Sequence, residues 1–280
     1  MPRRRPSRAG LRRGGGFALL IVLWTLVLIA FIVAHLTASG RTEIRIAGNL
    51  VGNAVAEAAA DGAVSEAIFN LSNPRADQRW LIDGTARELA IGDSRVALRL
   101  TDEGSRINPN LASPTLIEAL LQVLGVEAGS ANRLAGAIAE WVGSAQVAQP
   151  PAALTAEYQA AGLDYRPPVA PVETRDELGR VLGMTPAILA ALRPHLTLYG
   201  PAEPNPASTD PVVAAAIARV AQASQPPVAA DQGQPELATV RITARALGPG
   251  NAHATRIAIV RVGAELPNGY TVLAWGSRID

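Results

Sequence analysis

The feature that most limits the fold of this 280-residue chain is an unbroken apolar run at residues 17–34, FALLIVLWTLVLIAFIVA, in which Thr25 is the only polar residue. No Asp, Glu, Lys or Arg lies between Arg13 and Arg41. A helix of about 20 residues, rising about 1.5 Å per residue, spans a hydrocarbon core of roughly 30 Å. The run therefore predicts a single membrane-spanning helix.

The charges on the two sides of this run are unequal and predict its orientation. Arg41, Glu43 and Arg45 nearly balance on the C-terminal side, whereas the N-terminal side has six arginines and no acid: Arg3, Arg4, Arg5, Arg8, Arg12 and Arg13. The positive-inside rule places the N-terminus in the cytoplasm and the bulk of the chain outside the inner membrane. Since the net charge is only +1, the remainder is slightly acidic and no large basic surface is expected there.

Three interpretations of the N-terminal segment remain open at this point. A secretory signal has an apolar region of about 7–15 residues and a small-residue cleavage site, whereas this run is longer and is followed by the unsuitable Leu36-Thr37-Ala38. A plain uncleaved anchor is the second interpretation. In the third, the glycines at positions 14–16 mark a cytoplasmic cleavage site, with Gly16-Phe17 as the scissile bond.

A short basic leader that ends in Gly, before a Phe that opens an apolar helix, resembles a class III prepilin signal. The resemblance implies cleavage after Gly16 by a prepilin peptidase and N-methylation of Phe17. Most members of the family have Glu at the fifth mature position, where this chain has Ile21. That departure resembles the K-type minor pseudopilins of type II secretion. The absence of Glu suits a subunit at a fibre tip. Such a subunit has no neighbouring amino terminus above it for the carboxylate to neutralise, and an unpaired carboxylate in lipid is costly.

The remaining chain predicts an α+β fold. Apolar residues at helical spacing continue to Leu71, before the helix-breaking Asn73-Pro74, and Gly40, Gly48 and Gly52 favour bending. Alternation predicts one strand at residues 95–101 and three more at 239–246, 256–262 and 270–275. We therefore expect a long pilin-type helix packed on a small antiparallel sheet, with a large all-α domain inserted between strands.

Helix-start signals divide the insertion into short helices. Ser113 and Thr185 precede Pro residues as N-caps, as does Asp210, and Ser130 precedes a further apolar-periodic segment. Thr174 and Glu177 form a capping box predicted to open a helix that ends at Gly183. Residues 222–235, rich in Gln, Pro, Ala and Ser, predict a flexible linker. The predicted division is a leader at 1–16, the pilin helix at 17–71, a sheet domain at 72–102 with 236–280, and the inserted domain at 103–235.

Several motifs in their order extend the resemblance to K-type pseudopilins over nearly the whole chain. DEGSRINPN, which begins at Asp102 and ends at Asn110, is similar to the family's central signature. Three later segments match further motifs of the family and follow in the same order: Glu140-Trp141, the helical pair in ELGRVLGMTPAILAALRPHLTLY, and the terminal TVLAWGSR. The resemblance implies a non-enzymatic subunit at the pseudopilus tip, which nucleates assembly with I-type and J-type minor pseudopilins and contacts other pseudopilins.

Calcium is the one cofactor that the resemblance raises. Family members continue after the Trp with acidic residues in a calcium-associated loop, but this chain has VGSAQVAQPPAAL, which contains no carboxylate. Calcium takes six to eight oxygens, usually with more than one carboxylate. Backbone carbonyls with Glu157 and Asp164 are the remaining candidates for a reduced site.

Other chemistry has little support in the sequence. The chain has no cysteine, which excludes disulfides, thiolate zinc sites and a thiol nucleophile, and its three histidines, His35, His195 and His253, are widely separated. Asp102 and Glu103 are expected to cap or to pair with Arg106. The alternative function is a membrane-anchored periplasmic domain with a helix-hairpin-helix-like binding module near Arg175, Arg180 and Arg193, although nucleic acid is not an expected partner.

Overall fold

One long helix dominates the N-terminal part of the chain in a computed structural model, which describes residues 15–73, 75–144, 151–206, 208–223 and 237–279. This helix, α1, is Gly15–Leu71, and its segment Leu19–Thr37 is long and apolar enough to cross a membrane. None of that segment is buried. The helix ends at Leu71, as the sequence predicted, whereas the leader arginines lie outside the described residues.

The C-terminal part of α1 packs on a sheet through small side chains. Alanines dominate its buried stripe, which lets the helix axis come close to the strands. Gly52 illustrates the fit, because a Cβ there would lie 2.7 Å from the carbonyl oxygen of Pro249. This glycine therefore has a packing role that the sequence did not predict. The buried stripe consists of Ala56, Ala59, Ala60, Ala63, Val64, Ala67, Ile68 and Leu71.

The sheet has five antiparallel strands in sequence order. They are β1 (Ala86–Ile91), β2 (Ser94–Asp102), β3 (Leu237–Leu247), β4 (His253–Gly263) and β5 (Tyr270–Gly276). Alternate residues of β2, β3 and β4 face α1 and are buried, which is the period of two that the sequence shows. Strands β2 and β3 pair with each other although the whole insertion separates them along the chain.

The prediction of a single strand before the insertion was wrong, because β1 forms a hairpin with β2. The two-residue turn Gly92-Asp93 joins them, and Gly92 has φ +55°, a conformation that glycine adopts without strain. Gly-Asp between alternating residues is a hairpin signal that could have predicted this strand. Arg87 and Glu88 weaken the apolar pattern of β1 and explain why it was missed.

The described part of the insertion contains five α-helices: α2 (Pro114–Val123), α3 (Ala128–Trp141), α4 (Pro151–Ala160), α5 (Pro186–Leu192) and α6 (Pro211–Ala223). The predicted N-caps Ser113, Thr185 and Asp210 accept hydrogen bonds from the first turns of α2, α5 and α6. Helix α2 packs against both α3 and α6. These helices bury their own hydrophobic core around Leu120, Ile138 and Leu178, separate from the core between α1 and the sheet.

Three details of the insertion differ from the sequence predictions. Helix α3 begins at Ala128, because Glu127 accepts hydrogen bonds from the N–H groups of Gly129 and Ser130, both at 2.9 Å. Glu177 accepts from the Thr174 N–H at 3.0 Å, but the segment it opens is a 3-10 helix, Arg175–Arg180, that ends before Gly183. Helix α4 was not predicted. The predicted linker lies, from residue 224 onwards, outside the described residues.

Candidate functional site

The sequence-predicted site residues Gly16, Phe17 and Ile21 lie in the first turns of α1. Phe17 is 73% exposed and Ile21 is 47% exposed. Residues four apart lie on one face of a helix, so the side chain at the fifth mature position would stand beside the new N-terminal residue. In the described parts of the chain, nothing covers this apolar surface, which must find its partners in lipid or in other proteins.

The polar side chains within the apolar segment are satisfied by the helix itself. Thr25 Oγ1 donates to the Val22 carbonyl oxygen at 2.8 Å, and Thr37 Oγ1 donates to the Val33 carbonyl oxygen at 2.7 Å. Such bonds remove the cost of an unpaired hydroxyl in hydrocarbon. His35 stacks on Phe31 with 6.4 Å between ring centroids. The segment thus presents an outer surface suited to a bilayer.

A buried ion cluster lies where β2 leads into the insertion. Glu103 is fully buried, and its Oε1 accepts from Arg106 at 3.1 Å and from Nε of Arg241 on β3. Arg241 also donates to the carbonyl oxygen of Ile279 at 3.3 Å. The predicted pairing with Arg106 is confirmed, but the pair is not an exposed one. Because a buried charge that loses its partner is strongly destabilising, this cluster fixes the insertion to the sheet.

The signature that begins at Asp102 acts as a structural joint. Asp102 Oδ1 accepts from the Gly104 N–H at 2.8 Å, as the predicted cap. Asn108 Nδ2 donates to the Gly200 carbonyl oxygen at 2.9 Å. Asn110 makes a two-way contact with the backbone of Val172, at 3.0 Å to its oxygen and 2.8 Å from its N–H. The two asparagines therefore bind the loops around Gly200 and Val172 to the segment where the chain passes from β2 into the insertion.

An aromatic cluster follows the Glu140-Trp141 pair. The Trp141 ring lies 6.2 Å from that of Tyr158 and 6.3 Å from that of Tyr165, measured between centroids. The Tyr158 hydroxyl accepts from the Leu182 N–H at 3.0 Å. Burial raises the pKa of Tyr158, although that hydrogen bond opposes the change. The cluster is a packing core and contains no obvious reacting group.

The reduced calcium site predicted from the sequence would use backbone carbonyls with Glu157 and Asp164. Within the described ranges, no three His, Asp or Glu side chains are close enough together to hold a metal ion. Burial raises the pKa of Glu140, and the nearby Glu157 carboxylate raises it further. Residues 145–150 of the expected calcium loop lie outside the described residues.

The groups considered for other chemistry are engaged in structural contacts. His195 Nδ1 lies 2.6 Å from Asp210 Oδ2, so it connects the 3-10 turn after α5 to the start of α6. In the candidate helix-hairpin-helix, Arg193 pairs with Asp176, and Arg175 donates to the Arg193 carbonyl oxygen at 3.2 Å. These contacts use cations that phosphate binding would need.

Sequence reasoning missed Arg241 as the second partner of Glu103, because the two residues are 138 positions apart. The sequence signal for this contact was an arginine in β3 that lies close to the end of β2, where Glu103 follows. Only the β2–β3 register, in which Asp102 lies opposite Val240, makes that signal meaningful.

Comparisons with known proteins agree with this arrangement. Residues 88–202 match the family model for protein K of the type II secretion system. A chain in the crystal structure of the GspK-GspI-GspJ complex from the enterotoxigenic Escherichia coli type 2 secretion system has the same fold, with a TM-score of 0.53 and 17% identity. The match covers 85% of this chain and 98% of that one. No curated protein matches by sequence.

Proposed function

We propose that this chain, whose residues 88–202 match the family model for protein K of the type II secretion system, is a K-type minor pseudopilin that forms the pseudopilus tip and initiates its assembly. Its role in protein export across the outer membrane is structural rather than catalytic. The observation that carries the proposal is a bulky helical insertion located at one end of a pilin-like sheet, away from the membrane-spanning helix.

The position of the insertion follows from two contacts of α1. Near the membrane, Gly52 packs on the turn between β3 and β4, and at the far end Ser72 lies beside Gly269 in the turn between β4 and β5. The insertion leaves β2 after Asp102 and returns at Leu237, which are both at the far end. A domain in this place obstructs a subunit that would be added above, whereas the exposed α1 surface remains available below.

We expect prepilin peptidase to cut after Gly16 and the new N-terminal Phe17 to be methylated. The exposed position of Phe17 and the apolar, uncharged Ile21 one turn later support a mature N-terminus in lipid. The six leader arginines support an N-terminus on the cytoplasmic side of the inner membrane, with the sheet and insertion in the periplasm.

Coexpression with a prepilin peptidase tests the cleavage site. The wild type should lose its leader and migrate faster on electrophoresis, whereas Gly16→Ala should remain unprocessed. Gly15→Ala is the matched control and should be processed. Equal processing of the wild type and Gly16→Ala would contradict this part of the proposal.

We propose I-type and J-type minor pseudopilins as the direct partners, because the structurally similar chain comes from a complex of GspK with GspI and GspJ. The full chain, extracted in detergent, should copurify with both partners. A persistent monomer would instead favour the alternative, a membrane-anchored domain with a separate binding module.

A further inference from the structure

Three arginines that are distant along the chain meet on the sheet face that points away from α1. Arg95 and Arg99 lie on β2, two residues either side of Ala97, and Ala97 is opposite Arg245 on β3. Arg245 is therefore the diagonal neighbour of both, at about 7–8 Å between backbone positions. All three side chains are exposed, while their strand neighbours Val96 and Leu98 are buried against α1.

The nearby negative charges are fewer than the arginines, and one of them is Asp93 in the β1–β2 turn, two residues before Arg95. Among the strand residues paired directly across the sheet with these arginines or with Ala97, the one described carboxylate is that of Glu88 on β1, which lies opposite Ala97. None of the three guanidinium groups forms an ion pair with a described residue, whereas Arg241 on β3 pairs with Glu103 and Arg256 on β4 pairs with Asp61. The sequence predicted no large basic surface beyond the leader, and this group of three arginines is a small one.

The location of this group, here called the arginine patch (Arg95, Arg99 and Arg245), leaves it free of the rest of the chain. It lies at the end of the sheet near the turn between β3 and β4, which Gly52 of α1 contacts, and the insertion leaves from the opposite end. Leu247, opposite Arg95, is 39% exposed and adds an apolar contact area.

We propose that the arginine patch is a docking surface for a carboxylate-rich surface of the adjacent pseudopilin on the membrane side. This inference rests on the proposed tip function, since a tip subunit has its neighbours on that side. Arginine forms bidentate contacts with carboxylates and is enriched at protein interfaces. Three cations outnumber the two nearby carboxylates, Glu88 and Asp93 of the β1–β2 turn, so the patch attracts an acidic partner and repels a basic one, which sets both partner choice and orientation.

The test measures association of the full detergent-extracted chain with the copurified I-type and J-type partners at several salt concentrations. The triple variant Arg95→Glu, Arg99→Glu and Arg245→Glu should bind about tenfold more weakly or worse at low salt. Its affinity should rise with salt, which screens the new repulsion, whereas that of the wild type should fall. The matching Lys variants keep the charge and should retain most of the binding. Arg219→Glu, a single charge reversal at an exposed position on α6, is the control away from the patch, and it should bind as the wild type does.

Three outcomes would overturn the inference. If the triple Glu variant and Arg219→Glu bind equally well, the patch is not the docking surface. If the Glu and Lys variants lose binding equally, charge does not govern the contact. If vesicles with anionic lipid bind the chain through the patch while partner binding is unchanged, the partner is a membrane. A wild type that binds neither partner contradicts the proposed function itself, a result distinct from the first two. Thermal unfolding of each variant verifies that its fold is retained.

Discussion

The two halves of α1 are parts of one continuous helix, yet they are built for different surroundings. The half at Leu19–Thr37 has large apolar side chains that are all exposed, whereas the half after Gly52 has an alanine stripe that is buried on the sheet. Large side chains suit lipid and the packing of other helices, while small ones let strands approach closely. The contrast teaches that the described part of the chain supplies a packing partner for only one half of α1.

The largest effect is expected when a valine in each half of α1 is replaced by aspartate. Val64→Asp places a charge in the core between α1 and the sheet, where Val64 is fully buried, and should destabilise the globular part by more than about 3 kcal/mol. Val33→Asp is the matched change in the exposed half. It should leave unfolding of the globular part unchanged but disfavour membrane insertion by about 2.5–3.5 kcal/mol.

Chemical unfolding in detergent and extraction from membranes measure these two effects separately. Equal unfolding midpoints for both variants would show that the second half of α1 is not packed as described.

A change of volume sharpens the same comparison. Ala63 is fully buried against the strands, so Ala63→Leu should overpack that contact and cost about 1–3 kcal/mol of unfolding free energy. Ala30→Leu, in the exposed half, adds the same atoms where space is open. Thermal unfolding followed by circular dichroism should separate the two variants. A loss of stability in Ala30→Leu would mean that the first half has an unexpected partner within the chain.

The smallest expected effect concerns the ion pair that joins α1 to β4. Asp61 accepts from Arg256 through both carboxylate oxygens, but its side chain is partly exposed. Asp61→Asn should therefore lower the unfolding free energy by about 1 kcal/mol or less, with the loss shrinking at high salt. Glu66→Gln, on the same helix, is the control and should change nothing. An unchanged stability in Asp61→Asn would show that packing alone holds the helix.

Much of this fold is predictable because its periodic patterns are local. The apolar run, the end of α1 at Leu71 and four of the strands follow from spacing and from helix-breaking residues. The predicted N-caps at Ser113, Thr185 and Asp210 act as caps because capping depends on a few adjacent residues. Strand β1 escaped prediction since its charged residues obscure a short alternation.

The contacts that join distant segments could not be predicted in the same way. The pairing of Glu103 with Arg241 and the meeting of Arg245 with Arg95 both depend on the β2–β3 register, which no local pattern gives. The N-terminal site was predicted in a third way, because Gly16, Phe17 and Ile21 were identified by resemblance to a family and not by a local pattern or a contact. Their roles remain proposals that the processing experiment tests.

The most direct test of the central claim is the position of this subunit in the fibre. Gold particles attached through an affinity tag at the C-terminus, on isolated pseudopili assembled with the functional tagged chain, should appear at one end of each fibre and nowhere else. Labels distributed along the shaft would contradict the account, because a subunit with a bulky insertion at its membrane-distal end should not be followed by another above it.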